Sequence, residues 1–251
     1  PVMAAGAVLP NVNVLIDGNQ VPFGSTAGGG IDAVGSNITI TNNFVANGKI
    51  NNVFVHDNVA TGGTSSPRDI VISDNILVSP QIGGTAITVQ AQNLTTSTNV
   101  QVRGNILKSA DTAVTLTYVN DAQVGGNLIE GLVYLISGRR QDYLGNQFAN
   151  SSYNFNIEPT LPYANNVTIS SNRLIASISV FAASRMPITL SMSKNLGYVT
   201  ENSGTATVLF STNTTTVSHG LATTPTRVFV TYSSNPGIAS SLYVSSAGAT
   251  Q

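Results

Sequence analysis

The 251-residue sequence contains no cysteine and no tryptophan, and only 8% of its residues are charged. Without cysteine there are neither disulfides nor thiolate metal ligands, so packing and hydrogen bonds must hold the chain together. Charged residues normally fill about 25% of positions, and helical surfaces depend on Glu, Lys and Arg. Helix is therefore expected to be nearly absent. The formal net charge of -1 gives no basic field for nucleic acid and no acidic field for cations, which excludes partners recognised through long-range charge. No apolar run reaches the roughly 20 residues needed to cross a bilayer, so no membrane span is expected. Nucleophile motifs, phosphate loops and metal-type histidine spacings are missing too. The sequence starts at Pro1 rather than Met, as expected of a processed terminus or an excised fragment.

What fills the space is Val, Ile, Thr, Ser, Gly and Asn, arranged in a recurring phrase of two aliphatics one residue apart, followed three residues later by asparagine. It reads Ile38-x-Ile40-x-x-Asn43, Val53-x-Val55-x-x-Asn58, Ile70-x-Ile72-x-x-Asn75, Val100-x-Val102-x-x-Asn105, Ala122-x-Val124-x-x-Asn127 and Val167-x-Ile169-x-x-Asn172. Looser copies surround Asn93, Asn146 and Asn195. Strand alternation puts Val53 and Val55 on one face and Phe54 and His56 on the other. A unit this short cannot bury its apolar face alone, so the units must stack.

From Asn75 onward each interval between asparagines holds a second candidate strand, at residues 86–90, 113–118, 133–137, 154–157 and 178–181. That arrangement is expected of a parallel β-helix, each coil lying about 4.8 Å above the last. The expected ladder is Asn43, Asn58, Asn75, Asn105, Asn127, Asn146 and Asn172, each at a corner where asparagine tolerates left-handed backbone and bonds to the asparagine above and below. Gly104, Gly126 and Gly145 fit the same bend. The first two intervals, 15 and 17 residues, barely close a coil and predict either tight triangular turns or a hairpin. Residues 1–30 stand apart as a terminal strand or cap, with the turn signal Asp17-Gly18-Asn19 and a Gly28-Gly29-Gly30 hinge.

This phrase resembles that of right-handed parallel β-helices of the pectate-lyase-like superfamily, over residues 31–197. After Gly197 shorter strand candidates separated by turns predict a small β-sandwich at 198–251. The runs Gly204-Thr205-Ala206-Thr207, His219-Gly220-Leu221 and Thr224-Pro225-Thr226 are similar to a small sandwich that follows β-helices in viral tail and surface proteins. In that pattern a further apolar strand follows the equivalent of Leu242-Tyr243-Val244, and it is missing here. The fold class expected is all-β: a right-handed parallel β-helix with a small C-terminal β-sandwich.

The resemblance implies two kinds of chemistry, polysaccharide lyases with a basic residue beside Ca²⁺-holding aspartates, and glycoside hydrolases with paired carboxylates. The best pair is Asp57 and Asp74. Both precede a ladder asparagine, so adjacent coils would bring them within about 5 Å, close enough to raise one pKa or to hold Ca²⁺, with His56 as a proton carrier. Asp-Asn is also simply a good corner. A second cluster joins Arg139, Arg140 and Asp142 with Glu130, Tyr134 and Tyr143, reading either as a site for acidic sugars or as a solvated loop of local ion pairs. His219 reads as a packed turn residue. Five Asn-x-Ser/Thr sequons, at Asn37, Asn93, Asn150, Asn166 and Asn213, are candidate glycosylation sites.

The outer faces carry Thr, Ser, Gln and Asn rather than stacked aromatics. The function expected is a non-enzymatic extracellular subunit of a cell-surface filament or virion appendage, its partners being copies of itself joined by strand exchange between the two ends. The alternatives are a tailspike-type depolymerase and an adhesin that binds surface glycans without cleaving them. No cofactor is required by the first and third readings; Ca²⁺ at Asp57 and Asp74 belongs to the second.

Overall fold

A computed structural model describes residues 13–22, 30–46, 51–57, 66–79, 83–91, 96–149, 153–157, 165–175, 179–183, 189–197, 228 and 230. The chain divides into two compact units, Pro1–Gly197 and Tyr198–Gln251. In the second unit only Val228 and Val230 are described, so the expected sandwich and His219 lie outside the described residues.

Among its described residues the first unit is all-β with no helix, and every strand pairing is parallel. Its strands fall into successive rungs. The first rung holds β1 (Val14–Asp17), β2 (Gln20–Val21) and β3 (Ile31–Val34). The second holds β4 (Ile38–Thr41), β5 (Phe44–Ala46) and β6 (Asn51–His56), and the third β7 (Arg68–Ser73), β8 (Ile76–Ser79) and β9 (Thr85–Gln90). In the next two rungs the second and third strands fuse, giving β10 (Ser97–Arg103) with β11 (Ile106–Thr117) and β12 (Val119–Gly125) with β13 (Leu128–Ile136). Then come β14 (Arg139–Leu144), β15 (Gln147–Phe148) and β16 (Tyr153–Ile157), followed by β17 (Asn165–Ser170), β18 (Ser179–Ala183) and β19 (Leu190–Ser193).

Three ladders result. The first runs β1-β4-β7-β10-β12-β14-β17-β19. The second links β2, β5 and β8 to the opening residues of β11 and β13, then β15. The third links β3, β6 and β9 to the closing residues of β11 and β13, then β16 and β18. Where strands fuse, register shifts between Lys108 and Val114 mark the bend. A Cβ on Gly131 would lie 3.1 Å from the Asp111 carbonyl oxygen there, so the close approach needs glycine. The sequence phrase thus folds as a stacked parallel coil.

Each ladder contributes aligned inward columns. On the first, Ile38, Ile70, Val100, Ala122, Gln141 and Val167 follow one another, beside Ile40, Ile72, Val102, Val124, Tyr143 and Ile169, all of them buried. Burying such side chains contributes about 1.5–3 kcal/mol each for Val, Leu or Ile, and stacking like on like lets every rung use one side-chain shape. Gln141 interrupts the aliphatic column. Its amide donates to the Val119 carbonyl (2.8 Å) and the Ser137 carbonyl (3.2 Å), and its Oε1 accepts from the Tyr143 hydroxyl (3.2 Å). Tyr143 also meets Phe155 edge-on with ring centroids 5.4 Å apart.

The asparagines close the corner after the first ladder. Nδ2 of Asn43, Asn75, Asn105, Asn127, Asn146 and Asn172 donates to Oδ1 of the next asparagine along, at 2.9–3.0 Å, ending on Asn195. Asn19 donates to Asn43 in the same way at 3.0 Å. The backbone N–H of each donates to the same Oδ1, as Asn105 N does to Asn127 at 2.9 Å. From Asn43 onward each Nδ2 also reaches back to the preceding rung, as Asn105 does to the Ile72 carbonyl at 2.9 Å. One carboxamide therefore satisfies groups on three rungs that burial would otherwise leave unpaired.

Three expectations are corrected by this geometry. Asn43 bonds directly to Asn75, 32 residues on, so the two short intervals form one coil and neither a tight turn nor a hairpin. Asn58 itself lies outside the described residues, and its phrase, Val53-x-Val55, sits on the third ladder, where Val53 and Val55 pair with Ile87 and Val89. Residues 1–30 do carry the phrase. Val14-x-Ile16-x-x-Asn19 pairs in register with Ile38 and Ile40, so β1 is a rung of the coil, the first among the described residues.

Candidate functional site

The corners are where polar side chains concentrate, and two columns of left-handed residues frame the first ladder. One precedes the ladder asparagines: Gly18, Asn42, Asp74, Gly104, Gly126, Gly145, Ser171 and Lys194, with φ between 53° and 67°. The asparagine itself is not the left-handed residue, contrary to expectation. Its side chain serves the ladder, while the residue before it makes the turn. The other column precedes the first inward residue of each strand: Asn37, Asp69, Asn99, Asp121, Arg140 and Asn166, with φ between 53° and 55°. Asn and Asp suit this conformation best among residues with side chains.

The second column carries charge and sequence reasoning missed most of it. Asn99 Nδ2 donates to the Asp69 carboxylate at 2.7 Å. Two rungs further on, Arg140 grips Asp121 with Nε on one carboxylate oxygen and an Nη 2.7 Å from the other. Those hydrogen bonds hold the Asp121 carboxyl below the usual carboxylate range and raise the Arg140 guanidinium. The signal was present as Asn or Asp directly before an inward aliphatic, in Asn37-Ile38, Asp69-Ile70, Asn99-Val100, Asp121-Ala122 and Asn166-Val167.

Asp57 and Asp74 do not come together. Asp57 follows β6 on the third ladder and is buried, while Asp74 follows β7 on the first. Strands of different ladders do not stack, which removes the basis for a shared proton or a shared Ca²⁺. Asp74 Oδ1 instead packs over Gly104, 2.5 Å from where a Cβ on that residue would lie. His56 Nε2 lies 2.9 Å from Asp32 Oδ1 on the preceding rung, and Nδ1 lies 2.6 Å from the Asp57 carbonyl oxygen. Its ring stacks on Phe54 with centroids 4.4 Å apart. Among the described residues no three His, Asp or Glu side chains gather as a metal site would require.

The Arg139 cluster is likewise spread over the molecule. Arg139, Arg140 and Asp142 lie on β14 of the first ladder, Glu130 on the second and Tyr134 on the third. Tyr143 points into the core, fully buried, where desolvation pushes its phenol far up; it offers no platform for a sugar. Arg139 donates its backbone N–H to Asn120 Oδ1 at 2.8 Å. Of the sequons, Asn37 is half-buried and Asn166 exposed; Asn93, Asn150 and Asn213 lie outside the described residues. A surface groove of about 400 Å³ runs over the first rungs, lined by Asn13, Val14, Leu15, Asn37, Thr39 and Asp69.

These features define an all-β parallel coil with an asparagine ladder, its polar groups committed to corners. No protein-family model matches the chain, and neither a curated protein nor a solved structure does. No helix among the described residues is long and apolar enough to cross a membrane.

Proposed function

We propose that the chain is a non-enzymatic subunit of an extracellular structural or adhesive assembly, a cell-surface filament or a virion appendage, with the coil as its rod. The observation that carries this reading is the unbroken hydrogen-bond ladder from Asn19 to Asn195. Buried amides with every group engaged confer rigidity and resist local opening, which is the property a rod needs. The outward residues of the first ladder, such as Thr39, Thr41, Gln101, Thr168, Ser170 and Ser191, favour a hydrated, weakly charged coat. Among the described residues β1 pairs with β4 alone, and its other edge suits strand addition between copies.

Electron microscopy of the purified protein, paired with cleavage assays on surface polysaccharides, tests the reading. Elongated particles or filaments without cleavage are expected. Depolymerisation by the wild type that Asp57→Asn, Asp74→Asn or Arg140→Ala abolishes would replace it with the tailspike-type enzyme. Passive glycan adhesion is favoured by the groove at Leu15, where amide, hydroxyl and carboxylate groups surround an exposed aliphatic side chain. Glycan-array binding lost in Leu15→Ala would establish it, and array silence would remove it.

A further inference from the structure

The residue after each ladder asparagine opens the second ladder and points outward. From the second rung to the seventh these positions are Phe44, Ile76, Ile106, Leu128, Gln147 and Arg173, flanked by Gln20 before them and Leu196 after. Their inward neighbours Val45, Leu77, Leu107, Ile129 and Phe148 fill the core, so the column is not needed there. Phe44 is 38% exposed and Ile76 42%. Other exposed aliphatics such as Leu15 and Val34 stand on other strands, whereas four apolar residues stacked on consecutive rungs form a continuous column, which marks an interaction face.

Two residues further along the strands, at the next outward position, lie Val78, Lys108 and Glu130, aligned in register. Lys108 and Glu130 are exposed, and neither enters an ion pair among the described residues. In a chain this poor in charge, opposite charges one rung apart beside an apolar column make a self-complementary surface. A two-fold axis lying in the plane of this face, midway between the Ile106 and Leu128 rungs, reverses the order of rungs and keeps each column over itself. It sets Ile106 on the partner's Leu128, Ile76 on the partner's Gln147 and Phe44 beside the partner's Arg173, a cation over an aromatic ring. Lys108 then meets the partner's Glu130, and Glu130 the partner's Lys108. A parallel arrangement would carry the charged column to the opposite side of the apolar one and lose both pairs.

We propose that this face joins two copies of the chain side by side and antiparallel. The pairing concerns the flank of the coil rather than its ends, and it holds for a rod or for an enzyme. Six rungs at about 4.8 Å give a strip only about 24 Å long, which belongs to the small, weak class of interfaces, with dissociation in the micromolar range.

Sedimentation velocity of the full chain over a concentration series tests this. The wild type should show a concentration-dependent dimer. Lys108→Glu and Glu130→Lys should each weaken it by about tenfold or more, and the double exchange should restore it. Ile106→Asp should abolish it with an unchanged circular dichroism spectrum. A wild type that stays monomeric to about 100 μM, far above the micromolar expectation, overturns the proposal, as do single reversals without effect or a double exchange that fails to restore pairing. A dimer that also cleaves polysaccharide overturns the proposed function and leaves the pairing standing; an inert monomeric rod does the reverse.

Discussion

Asn105 shows what one side chain does in this fold. Its Oδ1 accepts from the N–H and Nδ2 of Asn75, and its Nδ2 donates to Ile72, Arg103 and Asn127. Asn105→Ala would strand a buried N–H and a buried carbonyl, each costing about 1–3 kcal/mol; urea unfolding should show a loss of roughly 2–5 kcal/mol. Asn105→Asp keeps the shape but turns a carboxylate toward Asn127 Oδ1. It should be at least as damaging at pH 7 and recover partly in acid, where the carboxyl can donate. The glycines beside the ladder divide by surroundings. Gly126→Ala meets nothing within 4 Å and bears only the left-handed conformation at φ 64°, about 1–2 kcal/mol. Gly104→Ala adds a contact at 2.5 Å with the Asp74 carboxylate and should cost more. Repeating Gly104→Ala in Asp74→Ala should bring it back to the Gly126→Ala level.

At the scale of the strand, β14 departs most from the pattern. With Gln141 and Tyr143 at its inward positions, Tyr143→Phe leaves Gln141 Oε1 without its donor and should destabilise by about 1–3 kcal/mol. Burial raises the Tyr143 pKa, so its contribution is complete below the unfolded-chain value near 10 and is lost as pH rises beyond it. The stability gap between the wild type and Tyr143→Phe should therefore narrow as pH rises above about 10, by about 1.4 kcal/mol per pH unit. The Asp121–Arg140 pair runs the other way. Its carboxyl is depressed by the Arg140 hydrogen bonds, so its contribution is present above the ordinary Asp pKa of about 4 and disappears as pH falls below it. Exposed pairs contribute little, and the gap between wild type and Asp121→Asn should be small at pH 7 and close in acid. These strands also explain what could be read beforehand. Alternation disclosed the aliphatic rungs from Ile38 onward, because two inward residues and a corner asparagine leave a fixed signature, and the same signature in Val14-x-Ile16-x-x-Asn19 was passed over. It failed at β14, whose inward pair is an amide and a phenol. It could not separate Val53-x-Val55 on the third ladder from Ile38-x-Ile40 on the first, since a period of two reports a face and not which face. The carboxylate pair failed for the same reason: Asp57 and Asp74 share a phrase but not a ladder.

Across the whole coil, stability should accumulate rung by rung, as in other one-dimensional stacks. Removing residues 105–126 deletes one complete rung, because Asn105 and Asn127 are 22 apart, and it leaves Gly104 followed by Asn127 in the place of Asn105. That shortened chain should fold, with strand-type circular dichroism and a lower unfolding midpoint. Removing only residues 105–115 puts outward residues inward and should leave no cooperative transition. The asparagine ladder has a further effect at this scale. Every Oδ1 in it faces the N-terminal rung and accepts there from the N–H and Nδ2 of the asparagine before it, so these bonds add and polarise one another along the axis, offset in part by the Nδ2 bond back to the preceding rung's carbonyl. As in an α-helix, such a sum leaves partial charge at the two ends, here negative at Asn19 and positive at Asn195. A protein with almost no net charge thus carries an electrical direction through its interior, fixed by the sense in which the chain winds.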